Sequence, residues 1–497
     1  MNWTVPPRLQ HFIGGAWVDS CDGEMFADLN PATGQVLTHV AAGGAAEVED
    51  AVRAAAAAFR AGPWAQRGGA YRAPFLERIA ELMLAHADEL AWLETLDTGI
   101  PIRQTRGQIA RAAENFRFFA QRAREMTGAT YPVPGRFLNY SVRQPVGVAG
   151  LITPWNTPLM LESWKLAPCL AAGDPLVLKP AEWSPLTADR LAHLIEEAEL
   201  PGGVFNMVHG FGETAGASLV AHPDVRLISF TGETSTGRTI MASGAATLKR
   251  FSMELGGKSP VLVFDDADVG RAVDAALFGM FTLNGERCTA GSRLLVQEGA
   301  AARVIPELVR RAGRIRVGDP FDEATDLGPL IHPEHWDRVM SYVALAPQEG
   351  ARVAVGGRRP PHLPEGSYLE ATVLTEVRPE MRVAREEIFG PVLAVMTFAS
   401  EADGLAMAND VDYGLAAYVW TSDLTRAHRV ADRVEAGMVW VNSHNVRDLR
   451  TPFGGSKMSG IGREGGDLSF DFYTDWKSVQ VALAPADIPR LGSSGSV

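Results

Sequence analysis

Between Pro175 and Phe230 short apolar runs alternate with longer amphipathic ones, and this alternation narrows the possible folds more than anything else in the 497-residue chain. Pro175-Leu176-Val177-Leu178-Lys179 reads as a buried strand, Pro185 to Ala198 as a helix, Val204 to Val208 as a strand and Leu227 to Phe230 as another. Strands that alternate with helices predict a parallel sheet covered by helices, with its ligand at the carboxyl ends of the strands. Lys179-Pro180-Ala181-Glu182 sits at one such end and Phe230-Thr231-Gly232 at another. The helix that starts after Gly232 runs through Thr236, Gly237 and Arg238, so its N-terminus is a candidate phosphate site. No Gly-x-Gly-x-x-Gly follows any of these strands, and the standard dinucleotide fingerprint is therefore absent here.

A second unit of the same kind begins at Val261, with Pro260 to Phe264 and Arg293 to Gln297 as strands. It extends to about Pro452, because Met438 to Asn442 reads as a further strand followed by a polar loop. Helices dominate the first third: Ala45 to Phe59 is alanine-rich with charged breaks, and Glu77 to Leu96 continues with helical spacing. Phe12 to Val18 reads as a hairpin turned by Gly14-Gly15. Two stretches, near Arg136 to Arg143 and near Asp475 to Ala482, alternate like strands outside both units, and the tail from Leu491 to Ser496 is expected to be flexible.

Such a length exceeds one hydrophobic core, so two or more domains are expected. The net charge of -13 disfavours nucleic acid or an anionic membrane surface as a partner without excluding an anionic substrate held by local arginines. Cys21, Cys169 and Cys288 are odd in number and far apart, which argues for free thiols in a reducing compartment. Met1 to Gln10 has no basic-then-apolar signal pattern, and no run approaches the roughly 20 apolar residues of a membrane span, so a cytoplasmic location is expected.

Three segments carry candidate chemistry. In Asn284-Gly285-Glu286-Arg287-Cys288-Thr289-Ala290-Gly291 a thiol sits between polar neighbours on a glycine-flanked stretch, a setting that suits a thiolate nucleophile. In Phe251-Ser252-Met253-Glu254-Leu255-Gly256-Gly257-Lys258 one carboxylate precedes a Gly-Gly pair. The apolar neighbours of Glu254 would raise its pKa toward that of a general base, although an exposed glutamate beside a turn explains the pattern as well. In Leu151-Ile152-Thr153-Pro154-Trp155-Asn156-Thr157-Pro158 the amide of Asn156 is either an oxyanion donor, worth roughly 3–4 kcal/mol of barrier, or a cap for the helix that begins near Leu159.

Through these segments the chain resembles the aldehyde dehydrogenase superfamily along nearly its whole length. Lys179-Pro180-Ala181-Glu182, Phe230-Thr231-Gly232, Glu386-Glu387-Ile388-Phe389-Gly390-Pro391 and Pro452-Phe453-Gly454-Gly455-Ser456-Lys457 extend the resemblance, all in the family's order. It implies an α/β fold: a non-standard Rossmann cofactor domain (1–128 and 147–256), a second α/β catalytic domain (257–458), an oligomerisation strand unit (129–146 and 470–485) and a flexible tail (486–497). A homodimer or homotetramer is implied, with edge strands covered by partner subunits. The reaction implied is NAD-dependent oxidation of a small aldehyde through a Cys288 thioester, with Glu254 as base and Asn156 as oxyanion donor, without metal, nucleic acid or membrane.

The cofactor residues implied are Lys179 and Glu182 at the adenosine ribose, Trp155 on the cofactor wall, Thr231, Gly232, Leu255, Lys165 near the ribose, and Glu387 with Phe389 at the nicotinamide end. A carboxylate at Glu182 accepts from a free 2′-hydroxyl and repels a 2′-phosphate, which favours NAD over NADP. Glu233 departs from the pattern, since many relatives carry serine or glycine there, beside the pyrophosphate. Glu464 matches a carboxylate that relays protons, with a surface ion pair as its alternative. The arginine-rich loop Ser443-His444-Asn445-Val446-Arg447-Asp448-Leu449-Arg450-Thr451 resembles that of the muconic semialdehyde dehydrogenases of aromatic catabolism. A distal substrate carboxylate would bind Arg447 first and Arg111 second. Phe116 and Trp164 are candidates for the tunnel wall. A general aliphatic, aromatic or betaine-type aldehyde dehydrogenase is the alternative, ahead of a CoA-acylating enzyme, whose class typically lacks the glutamate at Glu254, and of a non-catalytic binding protein.

Overall fold

The computed structural model describes residues 3–133, 137–486 and 488–492. Its first sheet has eight strands in the order Gly460–Ile461, Arg250–Glu254, Val225–Thr231, Val148–Ile152, Leu176–Lys179, Phe205–Met207, His11–Ile13, Ala16–Val18. The strands from Arg250–Glu254 to Phe205–Met207 run parallel, and the outer ones are antiparallel. Every residue of Val148–Ile152, Leu176–Lys179 and Phe205–Met207 is buried. Helices cover both faces, so these strands read as continuous apolar runs rather than alternating ones. Ala149, Leu151, Leu176 and Leu178 pack into one core, and Val148, Ile152 and Val177 into the core on the opposite face.

From Val148–Ile152 the chain order proceeds through Leu176–Lys179 to Phe205–Met207 on one side and then resumes with Val225–Thr231 on the other. The crevice between Val148–Ile152 and Val225–Thr231 is therefore the switch point where open α/β sheets bind ligands at their carboxyl ends. Asn156 and Thr231-Gly232 lie there, as does Glu254 on the next strand.

A second sheet has seven strands in the order Arg352–Val355, Thr372–Thr375, Val392–Phe398, Arg293–Gln297, Pro260–Val263, Ala416–Trp420, Met438–Val441, parallel but for the first. It too separates two cores. Leu255 to Ser259 carries the chain from the carboxyl end of Arg250–Glu254 in the first sheet to the start of Pro260–Val263 in the second. Cys288 lies just before the amino end of Arg293–Gln297, so the carboxyl ends of the first sheet meet the amino ends of the second at the candidate site.

Thr474–Ala482 and Phe137–Pro145 pair antiparallel over nine positions, with Ala129–Val133 on the far side. Tyr131, Phe137, Leu138 and Trp476 leave this third sheet with exposed apolar surface. The hairpin at Gly14-Gly15 is present, with both glycines at positive φ. Glu77 to Leu96 is not one helix: it breaks at His86, which ends Gly69–Ala85 and starts Ala87–Thr98. Arg136 and Ser493 to Ser496, named above in a strand and in the tail, lie outside the described residues. No helix among the described residues is long and apolar enough to cross a membrane.

Candidate active site

Pro158 occupies the first turn of the helix Pro158–Ala172 and Thr157 is its N-cap residue, so Asn156 does not cap it. Instead the Asn156 amide, 6% exposed, donates from Nδ2 to the Glu286 carbonyl at 2.8 Å. One N–H is thereby committed to fixing the side chain. The amide also lines the two cavities that meet at Cys288.

Cys288 is half-buried and lines both cavities, whereas Cys21 is exposed and Cys169 buried. The segment before Cys288 has an unusual backbone. Leu283, Asn284 and Gly285 take consecutive left-handed conformations, with φ of 52°, 56° and 72°. Such a run is unfavourable for leucine and asparagine unless the surroundings hold it. The Asn284 side chain does so, donating to Pro329 O and accepting from Gly328 N, both at 2.8 Å. Gly257 passes so close that a Cβ there would lie 2.8 Å from the Cys288 carbonyl oxygen.

Burial pushes the Cys288 thiol up to about 11, with Arg287 opposing. Below that value the thiolate fraction rises about tenfold per pH unit, so alkylation of Cys288 by iodoacetamide should climb about tenfold per unit between about pH 7 and 9. Peptide mass analysis separates it from the exposed Cys21, and a plateau in that range would contradict the thiol described here.

Glu254 ends its strand 4% exposed, and neither of its carboxylate oxygens has a hydrogen-bond partner among the described residues. Burial, then repulsion from Glu464, holds its pKa well above the usual carboxylate range. Glu464, also buried, accepts from Lys165 Nζ at 2.9 Å, and Lys165 in turn donates to Ser229 Oγ at 2.9 Å. Lys165 is fully buried in this ion pair and is not among the residues lining either cavity. Glu464 is not a surface ion pair but part of the smaller cavity's wall.

The larger cavity, about 330 Å³, is lined by Trp155, Thr231, Gly232, Leu255, Glu387 and Phe389 among others. Glu387 Oε1 accepts from Gly257 N at 2.8 Å, and a Cβ on Gly256 would fall 2.0 Å from Glu387 Oε2. Only glycine admits the carboxylate there. Burial lifts the Glu387 pKa to about 7. Phe389 sits at φ 60° with its ring edge-on to Trp155 at 5.3 Å, and its carbonyl lies 2.7 Å from His335 Nε2. Lys179 Nζ donates to Glu182 Oε2 at 2.7 Å, and neither residue lines this cavity directly. Glu233 precedes the helix Thr234–Gly244, and its carboxylate lies 3.8 Å from the Arg338 guanidinium, which offsets its charge beside the candidate phosphate site. Trp183, His335 and Arg338 line the cavity although nothing in the sequence singles them out. His335 and Arg338 come from a helix with no local motif, so only the tertiary fold reveals them.

The smaller cavity, about 50 Å³, holds Arg111, Arg287 and Arg447 with Trp164, Phe453 and Glu464. Arg447 lies over the rings of Trp164 at 4.5 Å and Phe453 at 4.2 Å, and its Nη2 is buried without a partner among the described residues. Burial, then Arg111, lowers its pKa to about 10. Phe116 is fully buried in the first sheet's core and is not a tunnel residue, whereas Trp164 does line the cavity. Arg287 is absent from the substrate residues expected above, and its adjacency to Cys288 is the signal that could have found it. Among the described residues no group of three or more His, Cys, Asp or Glu is placed to hold a metal ion.

A half-buried thiol, a carboxyl without a hydrogen-bond partner among the described residues and a fixed amide around one opening are the groups that acyl transfer at a carbonyl requires. The aldehyde dehydrogenase family model matches residues 17–479. The 5-carboxymethyl-2-hydroxymuconate semialdehyde dehydrogenase of Escherichia coli is 51% identical over 471 residues, covering 93% of this chain and 98% of that protein. The crystal structure of the HpcC from Thermus thermophilus superposes with TM-score 0.95 at 53% identity, covering 98% of this chain and 95% of that one. An NAD+ complex of an aldehyde dehydrogenase from Bacillus cereus superposes with TM-score 0.94 at 41% identity, covering 96% and 97%. The chain belongs to the aldehyde dehydrogenase family.

Proposed function

We propose that this chain oxidises a carboxylated muconic-type semialdehyde, in the first instance 5-carboxymethyl-2-hydroxymuconate semialdehyde, to the carboxylic acid with NAD. The observation that carries this reading is the pairing of cavities at Cys288: one large and aromatic, the other small and lined by three arginines. A neutral aliphatic or betaine-type aldehyde would give those arginines nothing to bind.

The larger cavity fits a dinucleotide's nicotinamide end, because Gly256 leaves room for Glu387 to reach ribose hydroxyls and Phe389 and Trp155 offer ring faces. Lys179 and Glu182 would hold the adenosine ribose, with Glu182 disfavouring a 2′-phosphate. When bound, NAD accepts the hydride. The remaining steps belong to the protein. The Cys288 thiolate attacks the aldehyde carbon, and Asn156 Nδ2 with the Cys288 backbone N–H stabilises the oxyanion. After oxidation the acyl group remains as a thioester on Sγ. Glu254 then takes a proton from the attacking water and the thiolate leaves, releasing the acid. Burial and repulsion from Glu464 keep Glu254 poised to gain a proton, and Glu464 with Lys165 provides a route for passing it on. Residues 1–128 and 147–256 are assigned to cofactor binding, 257–458 to catalysis, and the strands within 129–146 and 470–485 to pairing with a partner subunit in a cytoplasmic dimer or tetramer. The exposed apolar residues of the third sheet support that last assignment.

Arg447→Ala tests the reading. The wild type is expected to prefer the carboxylated semialdehyde over a neutral aldehyde of similar length by roughly a hundredfold in kcat/KM, and the variant to lose most of that ratio. A ratio near one in the wild type would remove the carboxylated substrate. A large ratio that survives the substitution would remove Arg447 as its anchor.

A further inference from the structure

Resting on the reading that the smaller cavity takes a carboxylated aldehyde, we infer that it binds two carboxylates on the same substrate, and that Arg287 anchors the second. Arg111, Arg287 and Arg447 all line this cavity, and none of them forms an ion pair among the described residues. Elsewhere the buried Lys165 and Lys179 are paired with carboxylates, and the buried Arg72 and Arg293 donate to backbone carbonyls. The two acids in the cavity wall form no ion pair with the three cavity arginines: Glu464 is paired with Lys165, and Glu254 has no hydrogen-bond partner among the described residues. Burial lowers the pKa of Arg111 and of Arg447, and mutual repulsion adds to it, from Arg287 in the first case and from Arg111 and Arg287 in the second.

The geometry separates two binding forks. Arg447, on the loop after Met438–Val441, is clamped between Trp164 and Phe453. Arg287 is held from the other side by hydroxyls only, Nε donating to Thr289 Oγ1 at 3.0 Å and Nη1 to Thr282 Oγ1 at 3.5 Å, which leaves Nη2 for a ligand. Behind it Tyr418 donates to the Thr289 carbonyl at 2.7 Å and is stacked between Trp440 and His444, so this wall is rigid. Burial pushes His444 down to about 3, so it adds no charge of its own. A carboxylate engaged bidentately by Arg447 uses both its oxygens, and a single substrate carboxylate therefore leaves Arg287 Nη2 in the cavity without an anion. A semialdehyde with a terminal carboxylate and a carboxymethyl branch satisfies both.

The competing role for Arg287 is to favour the Cys288 thiolate, which would serve every aldehyde alike. Arg287→Gln and Arg287→Lys, assayed with 5-carboxymethyl-2-hydroxymuconate semialdehyde, with the branchless 2-hydroxymuconic semialdehyde and with a neutral aldehyde, separate the two. The expected result is a fall of roughly 10- to 100-fold in the dicarboxylate-to-monocarboxylate ratio of kcat/KM for Arg287→Gln, with partial recovery in Arg287→Lys. An unchanged ratio, with all three aldehydes losing equally and the pH profile of Cys288 alkylation moving to higher pH, would overturn the inference and assign Arg287 to the thiol. A wild type that makes no distinction between acidic and neutral aldehydes would instead overturn the underlying reading of the cavity.

Discussion

Replacing Cys288 with serine is expected to lower NADH formation by at least about 10⁴-fold while NAD binding persists. The hydroxyl of serine needs a hydrogen-bonded base to act as a nucleophile, and among the described residues no histidine lines the cavity wall beside Cys288 on the substrate side. Neither carboxylate oxygen of Glu254 has a hydrogen-bond partner among them, so no base is hydrogen-bonded at this position to activate a serine. Cys288 is half-buried and serine is close to it in size, so the fold should be kept. NAD binding can be followed by quenching of tryptophan fluorescence, since Trp155 and Trp183 line the larger cavity. Turnover within about a hundredfold of the wild type would leave Cys288 without its role.

Glu254→Gln is expected to separate the two halves of the reaction. Steady-state turnover should fall by about 10²- to 10⁴-fold, the range for loss of a general base, while the first equivalent of NADH still forms as a burst. The reason lies in the order of events: Glu254 is needed to activate water after the hydride has left. Glutamine keeps the shape, and because both Glu254 oxygens already lack partners among the described residues, the substitution removes no hydrogen bond described there. Loss of the burst together with turnover would mean that Glu254 deprotonates the thiol instead.

How much of this was legible in the sequence depended on whether the signal was local. Strands buried on both faces announce themselves as unbroken apolar runs, and Leu176–Lys179 and Val225–Thr231 fall within a few residues of where such runs lie. Asn156, Glu254 and Cys288 each follow, end or precede a strand within a short motif, which is why the sequence singles all three out. Lys165 shows the limit. Its partners Ser229 and Glu464 are 64 and 299 positions away, so nothing near it in the chain distinguishes a buried ion pair from a ribose contact. His335 reaches the Phe389 carbonyl across 54 positions and carries no motif. Phe116 has the same composition signal as a tunnel residue and is sorted from it only by packing. The break at His86 escapes notice because helical spacing continues across it.

The covalent account is tested most directly by mixing Glu254→Gln protein with NAD and the carboxylated semialdehyde, quenching in acid after the burst, and weighing the Cys288 peptide. An acyl group on Cys288, present in proportion to the NADH released, is the predicted result. NADH released with an unmodified Cys288 peptide, or with the acyl group on another residue, would contradict the mechanism.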